Sequence, residues 1–244
     1  MAYSQRRSGS FDFSTPDGVK RLIIFTTACY LVHYLAQMAG VLGGVFERLY
    51  LNSQEVVWSL AIWQPVTYMF LHAIDPFHIL FNMLTLWFMG RDVEQVWGMR
   101  RFVQYYLICG VGAALLVILV DLLLGRNTST YGASGAVCGV MIAFAMMFPD
   151  RELFFFPLPF AIKAKYFVAI IAAVNLLLVL PGGSGVSYLA HVGGFLAGYL
   201  YFKAAYNMGH FDPVGAMSGQ YREWKLARAK RKFQVYMNKQ RNRD

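Results

Sequence analysis

Residues 102–148 read FVQYYLICGVGAALLVILVDLLLGRNTSTYGASGAVCGVMIAFAMMF. Two apolar runs, 102–124 and 133–148, flank a turn-rich loop from Gly125 to Tyr131. Crossing a bilayer takes roughly 20 mostly apolar residues, and the first of these runs meets that length. Four more runs lie on either side, at 22–45, 77–97, 163–180 and 187–206. Six crossings need about 120 residues, which the 244 available accommodate. Composition agrees: 57% of residues are apolar and 14% charged, against about 45–50% and about 25% in soluble domains. Intrinsic disorder is excluded and a soluble globule fits poorly. The expected fold class is an all-α integral membrane protein, a six-transmembrane-helix bundle. Residues 1–21 form a flexible cytoplasmic tail, 22–206 the membrane domain, and 207–244 a basic cytoplasmic tail.

The connections carry their own signals. Residues 1–21 are polar and lack the apolar core and small-residue cleavage site of a signal peptide. Segment 46–76 is interrupted by Pro65 and Pro76 and carries Trp58 and Trp63, a composition suited to the membrane interface. Pro149, Pro157 and Pro159 punctuate the fourth connection, and Pro181 to Gly185 forms a short turn. Cys29, Cys109 and Cys138 sit inside apolar stretches without metal-ligand spacing, so neither a disulfide framework nor a metal or other cofactor is expected.

Charge placement fixes the orientation. Six spans put both ends on one side. Of the 22 Lys and Arg, all but Arg48 and Arg126 fall on that side, as the positive-inside rule requires of the cytoplasm. This distribution accounts for the net charge of +9 without nucleic acid as a partner. The tail 221–244, with Trp224, Phe233 and Tyr236 among its cations, suits anionic lipid headgroups. A tail without a targeting pattern points to a bacterial inner membrane.

Polar groups inside the spans are candidate functional groups, because each is costly there. His78 and Asn82 are four residues apart and share one face of the second span. They either hydrogen-bond neighbouring helices or serve chemistry. The fourth span opens with Tyr131-Gly132-Ala133-Ser134-Gly135. Ser134 reads either as a helix cap beside close-packing glycines or as a nucleophile at a helix N-terminus, where free N–H groups favour a developing oxyanion. The sixth span carries Ala190-His191-Val192-Gly193-Gly194. Gly135 and Gly139 are four apart, as are Gly194 and Gly198, a spacing that lets helices approach closely. If the two glycine faces meet, Ser134 and His191 come within hydrogen-bond reach, the arrangement for base-activated attack. No Asp or Glu lies in 122–149 or 153–211, so the expectation is a two-residue dyad.

Taken together, His78-x-x-x-Asn82, Gly132-Ala133-Ser134-Gly135 and Ala190-His191-x-Gly193-Gly194 resemble the rhomboid family of intramembrane serine proteases, in order and in placement on the second, fourth and sixth spans. Gly90-Arg-Asp-Val-Glu94-Gln-Val-Trp-Gly98 also resembles the family's segment after the second span. The resemblance covers roughly 20–205. It implies a rhomboid-like bundle in which Ser134 is the nucleophile and His191 the general base. His78, Asn82 and the Ser134 backbone N–H would bind the oxyanion, and His72 would be structural or water-retaining. The implied reaction is hydrolysis of peptide bonds in or beside the transmembrane helices of substrate proteins, with the first outer loop and the fifth span as candidate gates. Two positions depart from the family pattern: Trp63-Gln64 stands where many relatives have Trp-Arg, and Cys138 where relatives place an aromatic that packs on the histidine. Two other readings are a non-proteolytic chaperone or retrotranslocation factor of the same fold and a small transporter. The first usually lacks the nucleophile or base; the second often shows internal symmetry, and no repeat is found here.

Overall fold

The computed structural model describes residues 15–154, 161–179 and 186–207. Of the expected tails, 1–21 and 207–244, residues 1–14 and 208–244 lie outside these residues, as do Pro157, Pro159 and the turn at Pro181–Gly185, while 17–21 and Asn207 are helical. By its contacts the chain divides into Met1–Leu200 and Tyr201–Asp244. Of the second unit only the closing turns of the last helix are described.

Six helical stretches correspond to the apolar runs. They are α1 (Asp17–Met38), the combined stretch 76–97, α7 (Met99–Leu123), α8 (Ser134–Met147), α9 (Ala164–Val179) and α10 (Val186–Asn207). Stretch 76–97 is made of α5 (Pro76–Thr85), a π-helical segment (Leu86–Gly90) and α6 (Arg91–Trp97). Among the described residues, α1 and α7 are long and apolar enough to cross a membrane, while α8 and α9 are shorter apolar helices.

The short elements α2 (Gly43–Glu47), β1 (Leu51–Asn52), α3 (Ser53–Trp58), α4 (Gln64–Thr67) and a 3-10 turn (Tyr68–Phe70) fill the mixed segment. β1 pairs antiparallel with β2 (Ser129–Thr130), in register Leu51↔Thr130. A second small ribbon, β3 (Glu152–Phe154) with β4 (Ala161–Lys163), joins α8 to α9.

Helix α1 begins before Leu22 and stops before Val45, the limits of its apolar run. Each shift has a structural cause. The buried Glu94 carboxylate on α6 accepts from Gly18 N at 2.8 Å and Val19 N at 2.7 Å, satisfying two orphan donors at the helix start. Gly18 leaves room for this carboxylate, since a Cβ there would stand 2.9 Å from both oxygens. At the other end Gly40 takes a positive φ of 65°, which glycine accepts without strain. Glu94→Ala strands two buried N–H groups and is expected to cost about 2–4 kcal/mol. The check is the midpoint of detergent-induced unfolding. Glu94→Gln, which keeps one acceptor, should fall between the two.

Helix α7 packs against α1, α3, α4, α6 and α8. Its buried residues include Phe102, Tyr105, Cys109, Ala113, Val117 and Asp121, a stripe of helical period. Leu115, Leu119 and Leu123 on other faces are exposed, so α7 is apolar all round, as a helix facing lipid is. Helix α8 touches α5, α6, α7 and α9 and is buried from Gly135 through Met141. It is the central helix, and the start of α8 is where Ser134 stands.

The segment before α5 is held by buried polar groups. Gln64 is fully buried: its Nε2 donates to Glu55 Oε2 at 2.6 Å and to Arg48 O at 3.3 Å, and its Oε1 accepts from Asn52 N at 2.9 Å. The glutamine at this departure from the family pattern is thus a fully used cross-link. Buried Asp121 ties the same region to α7, accepting from Ser53 Oγ at 2.9 Å and Thr128 Oγ1 at 2.6 Å.

Candidate active site

The four polar side chains singled out in the sequence line one cavity of about 690 Å³, His78 and Asn82 of α5, Ser134 of α8 and His191 of α10, and Thr85, Asn175 of α9 and Tyr188 line it with them. Phe77, Phe81, Val137, Met141, Phe167 and Ile171 give it an apolar wall, and Asp75 also lines it. That combination of apolar lining and a few convergent polar groups is typical of ligand sites.

Close approach of α8 and α10 sets the depth of Ser134 and His191. A Cβ on Gly194 would fall on the Gly135 carbonyl oxygen, and one on Gly198 would stand 2.8 Å from Gly139 Cα. A Cβ on Gly139 would meet the Cys109 side chain and lie 3.4 Å from Gly194 O. The glycines of the two helices therefore face each other in pairs, backbone against backbone, where no other residue fits. Gly135 also abuts Ala190 O, the residue before His191.

Ser134 is the first residue of α8, but the helix cap is Ala133, with no side-chain cap hydrogen bond. Its hydroxyl is therefore not engaged as a helix cap. Val137 N is the first amide of the helix start with an acceptor, Ala133 O at 3.0 Å. The N–H groups of Ser134, Gly135 and Ala136 precede it, and such first-turn donors are unpaired within a helix. Gly132 makes the entry possible. Its φ is +134°, and a Cβ there would stand 3.2 Å from His78 Cε1, 3.3 Å from His78 Nε2 and 3.7 Å from Ser134 Oγ. His78 and Ser134 thus border the same small space.

Asn82 is buried, and its Nδ2 donates to His78 O at 2.8 Å on its own helix, which leaves the amide one more N–H to give. His72 is buried behind the site, with its ring edge-on to His78 at 5.2 Å. Its Nε2 accepts from Ala133 N at 3.4 Å, a link to the turn that launches α8. Burial, with His78 as the lesser cause, pushes the His72 imidazole down to about 3. It is therefore a neutral acceptor at any physiological pH.

His191 is half-buried, with Tyr188 edge-on at 6.2 Å. Its Nδ1 lies 2.6 Å from Asn175 Oδ1 on α9. Cys138 also lines the cavity, and a thiol there offers no ring face to the histidine. Asn175 is the site residue that sequence reading passes over. Its signal was present, as a lone amide inside the apolar run 163–180, and the rule for polar groups in spans applies to it as to His191.

Comparison with known proteins gives a concordant picture. The Rhomboid domain family model matches residues 59–207. RHOMBOID-like protein 1 of Arabidopsis thaliana is 36% identical over 156 residues, 62% of this chain and 36% of the relative. RHOMBOID-like protein 4 of the same plant is 36% identical over 153 residues, again 62% and 36%. The mitochondrial presenilin-associated rhomboid-like protein of Homo sapiens is 29% identical over 126 residues, 51% of this chain and 33% of the relative. The chain therefore spans about a third of the length of these relatives. Their sources, a plant and a mammal, lend no support to the expectation of a bacterial inner membrane.

Proposed function

This chain belongs to the Rhomboid domain family, and from that membership we propose that it is an intramembrane serine endopeptidase that cleaves peptide bonds within or beside the transmembrane helices of other membrane proteins. The observation that carries the reading is a cavity in which a serine at the start of α8 shares walls with two histidines and two asparagines. The six helical stretches are six spans in this reading, with both ends on the Lys- and Arg-rich side. The basic tail 221–244 contacts anionic headgroups.

Chemistry follows from the groups available. Ser134 Oγ attacks the scissile carbonyl carbon and passes its proton to His191 Nε2 as the new C–O bond forms. The carbonyl electron pair moves to oxygen, where the Ser134 backbone N–H and the donors of His78 and Asn82 receive the negative charge. His191 then protonates the departing amine nitrogen as the C–N bond breaks. Water, activated by the same base, hydrolyses the acyl-serine. Among the described residues Ser134 Oγ makes no hydrogen bond. Such contacts often close only when substrate fills the site. A substrate helix must unwind locally, because its backbone carbonyls are already hydrogen-bonded; helix-breaking residues near the scissile bond ease this.

The direct experiment is cleavage of a transmembrane reporter by the purified protein in detergent or liposomes, with the products located by mass spectrometry. Asn82→Ala sharpens it. Losing one oxyanion donor typically lowers kcat by about 10²–10³ and leaves KM nearly unchanged. The bond that Asn82 makes within its own helix is a small stability contribution, so the unfolding midpoint should hardly move. A lower midpoint with normal turnover per folded molecule removes Asn82 from the catalytic set.

A further inference from the structure

The Asn175 amide makes two hydrogen bonds, and together they place a proton on Nδ1 of His191. Its Nδ2 donates to Ile171 O at 2.8 Å, one turn earlier on α9. A carbonyl oxygen can only accept, so the NH₂ end must point there and Oδ1 must face the histidine. Oδ1 also can only accept. His191 Nδ1, 2.6 Å away, therefore carries the proton, and the lone pair of the neutral ring lies on Nε2.

Packing gives no reason for an amide here. Ala164, Val168 and Asn175 are the buried residues of α9, and Asn175 is the polar one among them. In apolar surroundings a leucine of similar volume would bury as well without the cost of desolvating an amide. Phe167, Ile171 and Asn175, at successive spacings of four, all line the cavity. The helix that walls the cavity also holds the histidine.

We propose that Asn175 is a positioning residue for His191: its carboxamide oxygen holds Nδ1–H and so presents the Nε2 lone pair towards Ser134. This rests on the protease reading of the site. During attack the Ser134 proton moves to Nε2, while Nδ1–H stays on Asn175 Oδ1. The amide oxygen dipole stabilises the imidazolium that forms, and the proton on Nε2 leaves with the amine. Asn175 itself neither gains nor loses a proton. The arrangement supplies from α9, with a neutral group, what a carboxylate supplies to the histidine of a three-residue site.

The test compares wild type, Asn175→Leu, Asn175→Ala and Asn175→Asp on a transmembrane reporter, with kcat, KM and unfolding midpoint measured on each preparation. Leu and Ala remove the acceptor. With the histidine free to turn and change tautomer, kcat should fall by about 10²-fold, the scale of a misplaced catalytic group, with KM within about twofold. Leu should keep the wild-type midpoint. Asp, as the neutral acid, can accept from His191 with one oxygen and donate to Ile171 O with its O–H, and should restore most of kcat. Leu and Ala variants with wild-type kcat per folded molecule, or an Asp variant as inactive as Leu, overturn the positioning role. A wild-type protein that leaves the reporter intact and reacts with no serine reagent overturns instead the protease reading, a result separate from either of these.

Discussion

Ser134→Ala is expected to abolish peptide-bond hydrolysis, with kcat falling by about 10⁶-fold, the scale seen when the nucleophile of a serine protease is removed. Among the described residues the other hydroxyls lining the cavity are those of Thr85, the last residue of α5, and Tyr188, in the first turn of α10. The fold should survive. The Ser134 side chain caps nothing, and replacing it by alanine at a helix start removes one hydroxyl from a cavity wall. A serine acting as a cap would instead cost about 1 kcal/mol on replacement, with activity preserved. Cleavage per folded molecule and unfolding midpoint on one preparation separate the two roles. Full turnover by well-folded Ser134→Ala protein removes the nucleophile assignment.

Gly194→Val is expected to be the most damaging single change away from the reacting groups. Its Cβ would land on the Gly135 carbonyl oxygen. That atom is backbone, so no side-chain rotamer relieves the overlap and α8 and α10 must separate. Overpacking typically costs about 1–3 kcal/mol and occasionally more; a clash with backbone belongs at the upper end. Separation also pulls His191 away from Ser134, so activity should fall further than folded fraction does, since a misplacement of about 1 Å can cost about 10²-fold. Gly44→Ala is the matched control: nothing stands within 4 Å of a Cβ there, and the change should stay within about 0.5 kcal/mol of wild type. If Gly194→Val matches that control in unfolding midpoint and turnover, the close contact of α8 with α10 is not what holds the site.

The helical stretches were legible because length and apolarity alone mark them. The runs at 102–124 and 133–148 correspond to α7 and α8 within a few residues. The glycine faces of α8 and α10 were legible from their spacing, but the inner face of an apolar helix was not. On α7 the buried Ala113 and Val117 and the exposed Leu115 and Leu119 are equally apolar, so the periodicity that marks an inner face in water is lost when the outer face meets lipid. The start of α1 depended on Glu94, a contact far away in sequence. The π-helical segment within 76–97 left no mark in the sequence.

At the site, the motif residues could be read from spacing and resemblance, while their mutual support could not. Gln64 read as a departure from a family pattern and is a three-way buried cross-link. Asn175 belongs to no motif quoted from the sequence, yet its amide lies against His191. Both act across elements, and a single chain carries no record of which distant side chain completes a hydrogen bond.

A nucleophilic Ser134 activated by His191 should reveal itself in covalent labelling. The purified protein is treated with a fluorophosphonate, digested, and the adduct located by mass spectrometry. One adduct is expected, on Ser134, absent from a folded His191→Ala protein. An adduct on a different serine, or undiminished labelling of Ser134 without His191, would contradict it.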